Sequence, residues 1–265
     1  MRKRSILIGV LLVLTVGVLP AAAITWGDPD TVHTNVGAMV VNHPVYGPRQ
    51  RCSGTLIHPR VFLTAGHCTD GLEDYGITKV WVNFDQYALN EKTMLDVAQV
   101  VTHPDYYWGP QSNPHDVGVL ILAKPVKRIT PANLPEAGLL DRLLAEGTLR
   151  QGSDGAKFTV VGYGATLHWP PPDITYEDYR QFAVSEYQTL LDSWLLMSQN
   201  QARNDGGTCF GDSGGPAFWT GPDGREILVG ITSWGDAQCV ATGFDYRVDI
   251  PDTLSFIEDV IASLQ

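Results

Sequence analysis

Apolar residues in this chain fall in short runs, and turn formers separate them. In the first half the runs cover 36–41, 54–57, 61–65, 79–83, 95–102 and 117–122. Their length, their β-branched and aromatic content and the Gly, Pro, Asn and Asp between them predict strands. A proline-punctuated crossing follows at 125–135 and reads as the linker between two domains. A second set of strands is predicted at 157–162, 179–189, 217–219, 227–234 and 246–248. From Asp252 the period changes. Leu254, Ile257, Val260, Ile261 and Leu264 fall at helical spacing behind Pro251, so an amphipathic helix closes the chain. A weaker helical pattern covers 192–199. The proline- and aromatic-rich stretch 167–178 reads as a surface loop, with Trp169 and Tyr176 as candidate substrate contacts. The pattern as a whole is all-β with one terminal helix.

The first residues do not fit this pattern. Met1-Arg2-Lys3-Arg4 is basic, 5–19 is apolar, and Pro20-Ala21-Ala22-Ala23 ends the run with small residues. That is the layout of a secretory signal peptide, 1–23, cut after Ala23. An uncleaved anchor is the competing reading, because the uncharged run continues to Gly27. Pro20 and the small-residue site favour cleavage. With 18 basic and 29 acidic residues the net charge is −11. Losing Arg2, Lys3 and Arg4 leaves 15 basic against 29 acidic residues, a charge of −14. Such a surface disfavours nucleic acid and anionic membranes. The four cysteines, at 52, 68, 209 and 239, include no CxxC spacing and allow three pairings. Disulfides would require the oxidising compartment that a signal peptide supplies.

Candidate chemistry concentrates in three segments. Gly211-Asp212-Ser213-Gly214-Gly215-Pro216 places a serine on a tight turn with small neighbours, where a substrate carbonyl and backbone N–H groups can approach it. Thr64-Ala65-Gly66-His67-Cys68 sets a histidine where a buried strand emerges, and an imidazole exchanges protons near neutral pH. His115-Asp116 precedes the apolar run 117–122, so Asp116 stands at the edge of a core, where a carboxylate needs a partner. Of the seven histidines, His33, His43, His58, His103 and His168 read as loop or surface residues. His115 adjoins the candidate acid but should face the other way on an extended segment.

On these motifs, in the order His67, Asp116, Ser213, the chain resembles the chymotrypsin-like, trypsin-fold serine endopeptidases, as a secreted member of bacterial type. The resemblance covers about 240 residues, nearly the whole secreted part. It implies two antiparallel six-stranded β-barrels with a C-terminal α-helix. The first barrel, 24–130, would carry His67 and Asp116; the second, 131–250, would carry Ser213 and the specificity pocket; the helix would occupy 251–265. It also implies roles. Ser213 is the nucleophile, His67 the general base and then acid, and Asp116 the group that orients the imidazole, while the N–H groups of Gly211 and Ser213 form the oxyanion hole. The family's disulfide pattern pairs Cys52 with Cys68 and Cys209 with Cys239. Cleavage after Ala23 would free Ile24, whose amine would pair with Asp212 in the family's manner. No Arg or Lys stands directly before Ile24, so the usual activation site is absent and signal peptidase is expected to make the activating cut.

Carried over by position, the specificity pocket comprises Gly207, Thr208, Phe210, Ser233, Trp234, Gly235 and Gly243. Gly207 stands where trypsin-like enzymes carry an aspartate, so an open, uncharged pocket and cleavage after large apolar or aromatic residues are expected. Cleavage after Arg or Lys through Asp245 is the alternative, as are a non-catalytic protease-fold binding protein and an esterase. The resemblance calls for no cofactor and no metal, and the acidic 70–74 loop is most simply a solvated one. Expected partners are a peptide or protein substrate and a protein inhibitor, with the enzyme a secreted monomer.

Overall fold

The computed structural model describes residues 24–109, 112–152, 154–168, 173–176 and 178–264; the leader expected at 1–23 and Trp169 lie outside them. The chain opens with a short strand, β1 (Asp28–Pro29). It then builds β2 (Val36–His43), β3 (Gly47–His58), β4 (Val61–Thr64), helical turn α1 (Gly66–Thr69), β5 (Val80–Asn83), β6 (Leu95–Thr102) and β7 (Gly118–Leu122). After the crossing come α2 (Leu139–Ala145), β8 (Lys157–Gly162), β9 (Ala165–His168), β10 (Asp173–Tyr176), β11 (Gln181–Leu190) and β12 (Trp194–Ser198). β13 (Pro216–Thr220), β14 (Glu226–Gly235), β15 (Thr242–Arg247) and α3 (Pro251–Ala262) complete it.

Six strands close a first antiparallel barrel in the order β2-β3-β4-β7-β6-β5. A second six close as β8-β11-β12-β15-β14-β13, with β11 returning to β8. Closure removes the sheet edges that would otherwise template aggregation. β4 and β7 are buried along their whole length and lie side by side, which is why their sequences run apolar without alternation. Val36, Met39, Leu56, Phe62, Val82 and Leu120 fill the first core; Phe158, Val160, Leu195, Met197 and Val229 fill the second. The chain crosses between them where Ala132 N–H still bonds Leu56 O and Asn133 O already accepts from Leu228 N–H.

Three stretches of the chain depart from expectation. The stretch 192–199 is not helical: Leu191 and Trp194 close a tight turn, and β12 pairs with β11 and β15. Trp194, Leu195, Met197 and Ser198 are all buried, so a short apolar run wanted on both faces of a sheet wins over a weak helical spacing. The stretch 167–178 is not a plain loop, since β9 and β10 pair as a hairpin. Residues 24–29 do not belong to the first barrel. Ile24 is fully buried in the second core, Thr25 bridges Gly207, and β1 pairs with β11. α2 had no signal in the pattern; Leu139, Leu140 and Leu143 dock it on the second barrel, and Leu140 N–H donates to Asp249.

α3 starts at Pro251 and buries Phe256, Ile257 and Val260, with Phe256 4.9 Å from the His103 ring. His103 is therefore a core residue, 5% exposed, and its ring stacks on His115 beside Asp252. His33 is likewise drawn in, between Asp30 and Glu226. No helix among the described residues is long and apolar enough to cross a membrane.

Candidate active site

The cleft between the barrels gathers the candidate residues. β4 ends in α1, which presents His67, and Asp116 stands two residues before β7, the neighbour of β4. Asp116 Oδ2 lies 2.9 Å from His67 Nδ1, and its Oδ1 accepts the His67 backbone N–H at 2.8 Å. The same carboxylate therefore fixes the ring and the turn that carries it. Ser233, on β14, donates its hydroxyl to Asp116 Oδ2 from the other barrel. Burial pushes the Asp116 carboxyl up. The charge and hydrogen bonds of His67 and the bond from Ser233 outweigh this and hold it below the usual carboxylate range.

Ser213 sits on the turn between Cys209 and Gly215, which two backbone bonds close, Asp212 N–H to Cys209 O and Gly215 N–H to Asp212 O. β3 grips this turn: Ser53 N–H donates to Ser213 O at 2.8 Å, and Gln50 Nε2 and Ser53 Oγ both donate to Gly211 O. Ser213 O also lies 3.7 Å from Cys68 Sγ, next to His67. Gly214 is required where the barrels touch. Its φ is +83°, and a Cβ would stand 2.5 Å from Ser53 O and closer still to Thr64 Oγ1. Among the described residues the Ser213 hydroxyl and the N–H groups of Gly211 and Ser213 have no hydrogen-bond partner in the protein. Disulfides Cys52–Cys68 and Cys209–Cys239 brace the His67 and Ser213 turns.

Asp212 is fully buried and points away from the cleft. It accepts from Gly164 and Cys209 N–H at 2.8 Å each, and burial drives its carboxyl up to about 7. The Ile24 pairing is not made in this full chain: Ile24 nitrogen, here a peptide N–H, donates to Gln181 Oε1 at 3.1 Å.

The pocket expected between Gly207, Thr208 and Gly243 is not open. Gln199, 2% exposed, lays its side chain between Gly207 and Gly243 and donates from Nε2 to Thr208 O at 3.0 Å. Phe210 and Trp234 stand half exposed at the surface, Trp234 stacked on Phe244. A separate cavity of about 510 Å³, mostly apolar, lies against Asp116 and Ser233 and is lined by Tyr106, Tyr107, Trp108, Trp194 and Trp234.

A family model for trypsin matches residues 24–256. The chain belongs to the trypsin family. "Trypsin" of Phaedon cochleariae is 29% identical over 204 residues, which cover 69% of this chain and 68% of that one. "Inactive CLIP domain-containing serine protease A28" of Anopheles gambiae is 28% identical over 193 residues, covering 69% of this chain. The aligned part spans about half of that relative, 49%. Both relatives are insect proteins, so the bacterial-type affiliation finds no support among them. Since one is named inactive, membership of the trypsin family fixes a serine-protease domain and leaves catalysis to be argued from the residues.

Within this trypsin-family domain several contributors had no sequence signal. Gln50 lies within a polar stretch of β3, Gln199 ends a stretch read as helix, and Tyr106 to Trp108 precede a turn. Asp245 is fully buried with neither oxygen partnered among the described residues, and burial pushes it up to about 8. Among the described residues two groupings have metal-ligand chemistry on paper, Cys52–His67–Cys68 and His103–His115–Asp252. The first is consumed by a disulfide.

Proposed function

We propose that this domain is an active, secreted serine endopeptidase that works through an acyl-enzyme. The observation that carries the reading is the Asp116 carboxylate on His67 Nδ1. It fixes the tautomer with the proton on Nδ1 and leaves the Nε2 lone pair free to take a proton. Ser213 Oγ attacks the peptide carbonyl while its proton passes to His67 Nε2. The oxyanion forms against the N–H groups of Gly211 and Ser213. Collapse breaks the C–N bond as Nε2 returns the proton to the departing amine, and water then repeats both transfers to free the acid. Asp116 stays ionised throughout and stabilises the imidazolium. The open Ser213 hydroxyl is compatible with this, because such bonds often tighten only with substrate bound. The aromatic cavity beside Asp116 provides room for a bulky apolar substrate side chain away from the scissile bond.

Secretion, with signal peptidase cutting before Ile24, belongs to the same reading. Ile24 already lies in the second core, held by the Thr25–Gly207 bridge. Its hydrogen-bond partner Gln181 is the register neighbour of Gly162, which packs against Asp212. A freed amine would thus emerge close to a buried carboxylate that has no cation.

Labelling with a fluorophosphonate, alongside hydrolysis of a casein substrate, tests the proposal. Covalent labelling of the secreted protein is expected, and Ser213→Ala should abolish it with a rate loss on the order of 10⁶-fold. An unlabelled, inert but folded protein would instead indicate a non-catalytic protease-fold binding protein; the Anopheles relative is itself named inactive.

A further inference from the structure

The space walled by Gly207, Thr208 and Gly243 has an occupant of its own. A Cβ on Gly207 would stand 2.5 Å from Gln199 Nε2 and 2.6 Å from its Cδ, and one on Gly243 would stand 2.9 Å from the same Nε2. The two glycines therefore face each other across the Gln199 amide, and a substrate side chain entering between them meets it head-on. The amide is tied at one end, by Nε2 to Thr208 O at 3.0 Å and more loosely to Thr208 Oγ1 at 3.4 Å. Its Oε1 has no partner among the described residues. Two residues beyond Gly243 on β15, on the same face of the strand, comes the unpartnered Asp245. Thr232, opposite Asp245 on β14, also has a hydroxyl without a partner among the described residues.

We propose that Gln199 sets the primary specificity: it plugs the pocket above Asp245, so that only Gly, Ala or Ser is admitted at the substrate residue whose carbonyl Ser213 attacks. This rests on Ser213 being the nucleophile. A large apolar side chain would have to expel a buried amide, strand the Thr208 carbonyl and enter a region rich in unpaired acceptors, each costly to leave unmade. A lysine or arginine would find a carboxylate, but only behind the plug. Removing the amide should therefore both enlarge the pocket and uncover a buried carboxyl that an entering cation would ionise.

The test compares kcat/KM on fluorogenic peptides that differ only in having Ala, Leu, Phe or Lys before the scissile bond. Rates are normalised to active sites counted by fluorophosphonate labelling. The wild-type enzyme should cleave the Ala peptide at least about tenfold faster than the other three, a ratio within reach of pocket sterics. Gln199→Ala should raise the Leu and Lys peptides by about tenfold or more. Adding Asp245→Asn should cancel the Lys gain alone. A labelled wild-type enzyme that prefers Phe, Leu or Lys overturns the proposal without needing any variant to fold, and so does a Gln199→Ala profile unchanged from wild type. Absence of labelling in the wild type defeats the nucleophile reading first, and this inference with it.

Discussion

At the scale of single residues, the site depends on carboxylates in contrasting surroundings. Asp116 is buried but surrounded by donors, and its ionised form is the stable one. A depressed carboxyl contributes stability that is present above its unfolded pKa and lost as pH falls through the folded value, so the His67 turn should loosen on acidification. Ser233→Ala removes one of the donors, and kcat should fall about tenfold with KM unchanged, in proportion to one hydrogen bond to a charged group. Steady-state kinetics on one peptide substrate checks both parameters. Asp245 is the opposite case, buried with no donor and pushed up to about 8. From about pH 4, where the unfolded chain ionises, to about pH 8 the folded state holds a proton that the unfolded state has lost. Stability from this group therefore declines as pH rises through that window. Asp245→Asn should flatten the decline, raising the melting temperature at pH 9 and leaving it unchanged at pH 4. Equal shifts at both pH values would contradict this account.

At the scale of elements, the strand pattern was legible because most strands bury whole runs or alternate cleanly. Elements whose sequence is ambiguous over a few residues, β12 above all, were decided by the neighbours that needed a partner. The N-terminal segment is the most consequential of these. Read as the start of the first barrel, it instead laces onto the second, and this brings Ile24 to the strand beside Asp212. A chain with one extra residue before Ile24 should lose activity roughly a hundredfold, comparable to a missing oxyanion donor, because no amine reaches the carboxylate behind the Ser213 turn. N-terminal sequencing paired with kcat measurement checks this, and full activity of the extended chain would remove the activation pair from the account.

At the scale of the molecule, catalysis requires two barrels that do not slide. Arg180 is the clamp. From β11's leading edge it bonds Asp30 at 3.1 Å, the backbone carbonyls of Val36 and Phe84, and the Tyr163 hydroxyl at 3.0 Å, joining the N-terminal segment to both barrels. Every partner is buried or part-buried, so truncation strips the Asp30 carboxylate of its guanidinium and leaves it only His33 and two backbone N–H groups. Arg180→Ala should destabilise the fold by about 3–5 kcal/mol, the range for breaking one side of a buried pair, read by chemical denaturation. A loss below about 1 kcal/mol would place this contact with surface pairs instead.

The sequence by itself determined the class of fold and marked out the residues of the proposed chemistry. Ser213, His67 and Asp116 stand out because a nucleophile, a base and an acid would each need a special local setting, a glycine turn or a strand edge, and such settings are written in neighbouring residues. The short apolar runs and the terminal helix followed from the same local physics. Only the tertiary structure decided what fills the pocket, where the N-terminal segment docks and what holds the barrels together. Gln199, Asp245, Ser233, Gln50 and Arg180 act across long sequence separations, and a polar side chain carries no local sign of which distant backbone carbonyl or carboxylate it will meet.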